Sequence, residues 1–118
     1  MSQNRKKIIN RLTGNLANAI LHKVLGEAVQ EDNLRAYYGN EFSTSFSLAV
    51  KYCEQLNPKT EPMLEKDVKE IREIIMKRVS LELDKRIKKG YQGIANANVE
   101  PIMDELLEKA MVKSKEVL

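Results

Sequence analysis

The longest uninterrupted pattern in the chain runs from Pro62 to Lys89, PMLEKDVKEIREIIMKRVSLELDKRIKK, with no glycine and no proline after its first residue. Leu64, Val68, Ile71, Ile75 and Val79 recur at helical spacing. They predict one amphipathic helix over about 62–89, roughly 42 Å long at 1.5 Å per residue. Beyond Ile75 the apolar positions step by four through Val79, Leu83 and Ile87, which turns the stripe by about 40° per step away from its first half. The face left behind becomes charged, with Arg78, Glu82 and Arg86 followed by Lys89. Such a row is either a set of exposed ion pairs or a polar contact across a symmetric dimer. The rest of the chain is expected to pack on this helix.

A second long helix is expected over about 3–29. Ile8, Leu12, Leu16 and Ala19 share one face, flanked by Ile9 and Ile20, and the apolar face shifts toward Leu21, Val24 and Ala28 further on. Gly14-Asn15 is a candidate break, with Gly14 as a C-terminal cap and Asn15 starting a new segment. Asp32 then caps a short turn through Tyr38 that Gly39 ends, and Asn40 caps a shorter helix over about 41–56. Phe42, Phe46, Ala49, Val50, Cys53 and Leu56 form its apolar face. Asn57-Pro58 stops it, because the residue before proline is pushed out of the helical region. Gly90 to Gly93 reads as a turn, and a last helix over about 99–117 presents Ile102, Leu106, Ala110 and Val117.

These elements define an all-α, four-helix bundle-like single domain, residues 1–118, with two long and two shorter helices. Composition agrees: five glycines, three prolines and abundant Leu, Glu, Lys and Ala favour helix. The net charge of +3 is modest but unevenly placed. Residues 1–26 hold five bases and no acid, and 62–89 hold nine bases against six acids. A single cysteine, Cys53, excludes an internal disulfide and suits a reducing compartment. No run of 18 apolar residues supplies a membrane span, and no secretory apolar region is present, so a cytoplasmic protein without a membrane partner is the expectation.

Candidate chemistry is sparse. With Ile8 at 0° and 100° per residue, Asn4, Lys7, Arg11, Asn15, Asn18 and His22 fall between about 260° and 340°. That sector of the first helix carries amides, cations and the one histidine. Arg and Lys contact phosphate and Asn reads adenine edges, so the strip suits nucleic acid or another polyanion. His22 has no second histidine to share a metal with, and no metal or cofactor is expected. Cys53 lies on an apolar face as a small hydrophobe, and the glycines are too scattered for a phosphate loop. The residues therefore point to a non-enzymatic interaction or regulatory protein acting through self-association or a protein partner, with Arg78, Glu82 and Arg86 as oligomer contacts. The alternative is a nucleic-acid-binding module that uses the strip of the first helix.

Overall fold

A computed structural model of the chain describes residues 2–28, 32–56, 65–89 and 99–116, and the side chains of 5–26, 32–56, 65–89 and 99–113. Four helices make an all-α bundle of 42 × 26 × 22 Å: α1 (Ser2–Ala28), α2 (Asp32–Leu56), α3 (Glu65–Lys88) and α4 (Val99–Glu116). Pro62, Leu64 and the turn at Gly90 to Gly93 lie outside the described residues, as does Val117.

The hub is α1 rather than the 62–89 helix. It packs on all three other helices, most extensively on α2, whereas among the described residues no Cα of α2 lies within 8 Å of one in α3. The reason is the breadth of its apolar surface. Leu12, Leu16, Ala19, Ile20 and Leu25 are almost fully buried, with Ile9, Leu21 and Val24 beside them. A helix apolar over so much of its circumference needs neighbours on several sides. Buried Thr13 fits within this surface because its hydroxyl donates to the carbonyls of Ile9 (2.8 Å) and Asn10 (3.1 Å). The buried line of α3 follows the step of four, Ile71, Ile75, Val79 and Leu83, but Ile87 at its end is exposed. From α4, Met103, Leu106, Leu107 and Ala110 complete the core.

The continuous first helix is as expected, without the candidate break at Gly14, whereas the expected interruption at Gly39 is absent. α1 continues through Gly14, and Asn15 instead donates its side-chain amide back to the Arg11 carbonyl at 2.8 Å. Gly14 serves a close approach: a Cβ there would stand 3.0 Å from the Arg78 guanidinium. α2 likewise continues through Gly39, so the separate turn and the 41–56 helix are one element of 25 residues. The glycine's propensity cost is about 1 kcal/mol, small against the packing this longer helix gains. Near its start, Tyr38 stacks on His22 with ring centroids 6.1 Å apart. Tyr38 also lies over Gly26, its Cβ 3.5 Å from where a Cβ on that glycine would sit.

Pairings between helices give their directions. Arg5 pairs with buried Asp67 and Gly14 meets Arg78, so α1 and α3 run the same way. His22 meets Tyr38 and Arg11 meets Tyr52, so α2 is antiparallel to α1. α4 crosses from α3 toward α2. Its first turns hold Arg72 of α3 through Asp104 (2.8 and 3.2 Å) and Glu100 (3.1 Å), and later Lys113 stands over Phe46 of α2. The order of charges on α3, Glu65 and Asp67 first and Lys85, Arg86 and Lys88 last, complements its dipole.

Continuity of α2 is testable at Gly39, which has open space around it and an ordinary backbone conformation. Gly39→Ala is expected to stabilise the protein by about 1 kcal/mol, raising Tm by about 3–5 °C in thermal unfolding followed by circular dichroism. A helix that ended at this glycine would be destabilised by the same substitution.

Candidate binding surface

Because α2 and α3 stay apart, the side of α1 between them is uncovered. This is the side that carries the amide and cation strip. Lys7, Arg11 and Asn18 are exposed there, Asn15 and His22 are half-buried, and the Asn4 side chain lies outside the described residues. The α2 flank contributes Tyr52, whose ring centre is 5.9 Å from the Arg11 guanidinium carbon. Leu34, Glu41 and Leu48 stand seven apart on that flank, the leucines exposed, and Tyr37 is 55% exposed beside Tyr38.

The α3 flank brings in the charged row. Gly14, Ala17 and Asn18 of α1 and Arg78, Leu81 and Glu82 of α3 line one open cleft of about 250 Å³. The strip and the row, which sequence treats as separate candidates, thus form one surface. Leu81, 57% exposed in this cleft, was not singled out by the sequence pattern. Its signal is modest: it shares a stripe with Ile74, Arg78 and Lys85 at spacings of four, three and four.

Part of the row is satisfied within the chain. Glu82 accepts from Lys85 (3.3 Å) and Arg86 (3.2 Å). Its carboxyl is held below the usual carboxylate range, first by the Lys85 hydrogen bond and then by the same charges and Arg86. Arg78 differs, lying across α1 at Gly14. Glu73 and Lys77, and Asp84 and Lys88, stand four residues apart on α3 but are not among the ion pairs formed by the described residues. At such exposed positions a pair gains only a few tenths of a kcal/mol.

His22 sits where the three helices of this surface meet. Its Nδ1 is buried and has no hydrogen-bond partner among the described residues. Burial lowers its pKa from 6.5, Glu41 opposes that shift, and the positive charge of Arg86 adds to it. Native His22 therefore stays neutral where an unfolded histidine takes a proton.

Elsewhere Cys53 is buried, and no three His, Cys, Asp or Glu side chains among the described residues converge as a metal shell would. Among those residues no helix is long and apolar enough to cross a membrane. Comparison of the chain with protein-family models, with characterised proteins and with solved structures finds no match. The surface between α2 and α3 therefore has to be read from its own chemistry.

The histidine supplies a pH test. A lowered native pKa means that the unfolded state binds more protons below about pH 6.5, so stability falls as pH drops through that value and levels off below the native pKa. His22→Gln is expected to flatten this loss between about pH 7 and 5.5 in denaturant melts. An unchanged slope would show that His22 does not set it.

Proposed function

We propose that the protein is a non-enzymatic association module, that the uncovered side of α1 with its α2 and α3 flanks is its contact surface, and that the partner is a second copy of the chain. The observation that carries this reading is the separation of α2 and α3, which leaves Leu81 exposed over the small residues Gly14 and Ala17. Small residues let another backbone or a large side chain approach closely, and Leu81 supplies apolar area that solvent does not reward.

The chemistry of the surface suits a self-complementary contact. An isologous interface puts the same patch on both partners, so it needs donors and acceptors of both signs on one face. Here Arg11, Arg78 and Arg86 share the face with Glu41 and Glu82, and apolar Leu34, Tyr37 and Leu48 border one edge while Leu81 borders the other. Tyrosine and arginine are the residues that such interfaces concentrate.

A second reading, a polyanion-binding face, is favoured by one specific observation. Lys7 and Arg11 are exposed on a stretch, residues 1–26, that has no acid. Phosphate contacts of this kind bind without sequence preference and weaken steeply with salt.

Sedimentation equilibrium at micromolar concentration tests the first reading: a concentration-dependent dimer is expected, and Leu81→Glu, at an exposed position, returns it to monomer at unchanged helicity. A clean monomer at about 100 µM, in the weak range of protein association, would sink it. For the second reading, a gel shift with mixed DNA and RNA at low salt decides. Binding lost in Arg11→Glu supports the strip, and binding unchanged in that variant removes it.

A further inference from the structure

A second cleft, of about 370 Å³, opens where α1, α2 and α4 converge, and it shares no residue with the surface described above. Its volume lies in the range of small-ligand sites. One wall is aromatic: Phe42 and Phe46, a turn apart on α2, stack with centroids 5.8 Å apart and 7° between ring planes. Buried Leu106 of α4 lies beside them.

The rim is cationic. Lys23 reaches in from α1 and Lys109 and Lys113 from α4. Lys113 Nζ stands 5.6 Å from the centre of the Phe46 ring. Glu105 answers these charges, accepting from Lys109 at 2.8 Å, and its carboxyl is held below the usual range by that bond and by the charges of Lys109 and Lys23. One carboxylate against three lysines leaves an excess of positive charge next to an apolar platform.

We propose that this cleft binds a nucleotide, with its phosphate among Lys23, Lys109 and Lys113 and its base against Phe42 and Phe46. Lysine ammonium groups bind phosphate as point charges, and stacked rings offer a flat surface on which any base can lie. The hydroxyls of Ser43 and Ser47, also on the cleft wall, are placed to donate to the phosphate or sugar. A bare phosphate ion would satisfy the lysines but leave the phenylalanines uncovered. The same chemistry is presented by a free nucleotide and by one unit of a single strand.

The test titrates the full chain with AMP and, separately, with a 15-residue oligothymidylate at low salt, following aromatic proton resonances by NMR. Saturable shifts of the Phe42 and Phe46 rings are expected with one or both. Saturation by AMP assigns a free nucleotide, and saturation by the oligonucleotide alone assigns a single strand. Lys23→Gln/Lys113→Gln and, separately, the volume-conserving Phe46→Leu are each expected to weaken binding about tenfold, at unchanged helicity. Lys69→Gln, at an exposed position of α3 that lines neither cleft, leaves it unchanged. Absence of saturation with both probes would overturn the proposal, as would binding that inorganic phosphate displaces equally well and Phe46→Leu leaves intact. Loss of binding in Arg11→Glu, on the other surface, but not in the double lysine variant would also overturn it.

Discussion

Burial of α1 is the constraint on which the bundle depends. Leu12, Leu16, Ile20 and Leu25 leave solvent almost completely, and a truncation to alanine at such a site costs about 2–5 kcal/mol, a large part of a small domain's stability. Covering them requires α2 on one side, α3 on the other and α4 across the middle. α2 and α3 are thereby held apart, and the polar strip between them is the part of α1 left over. The open surface follows directly from how the core is closed.

That surface and the lysine-rimmed cleft divide the molecule's polar chemistry. On the α1 side, cations, amides and carboxylates alternate around exposed Leu81, and much of the charge is already paired within α3. In the cleft of α1, α2 and α4 the balance is one-sided, with three lysines lining it beside two aromatic rings. A mixed-charge face suits contact with another folded surface, and a one-sided one suits a compact anion. Asymmetry of this kind distinguishes the two sites where the modest net charge of +3 does not.

Periodicity made much of the fold legible. The faces through Leu12 and Leu16, through Ala49 and Cys53, and through Ile71 to Leu83 are the buried ones, because a 3.6-residue repeat records which side of a helix meets the core. Periodicity carries no direction, so nothing in the chain announced that α1 and α3 run the same way, or that Arg72 would reach acids 28 and 32 residues further on. Gly39 reads as a break, and Gly14 as a candidate one, because a glycine's local cost is visible in sequence and the packing that offsets it is not. For the candidate site, exposure of Lys7, Arg11 and Asn18 was readable from the wheel. Their union with Arg78 and Glu82 was not, since it depends on how two helices are placed side by side. The Phe42–Phe46 cleft is assembled from α1, α2 and α4, and each contributes residues that look ordinary in its own segment.

Paramagnetic relaxation of the assigned NMR resonances by a soluble gadolinium chelate, measured on dilute protein, tests the central claim most directly. A hub helix buried on three sides and open on the fourth predicts strong broadening at Lys7, Arg11 and Asn18 and near-complete protection at Leu12, Leu16 and Ile20 within the same helix. Protection of all six positions alike, or broadening of all six alike, would contradict it.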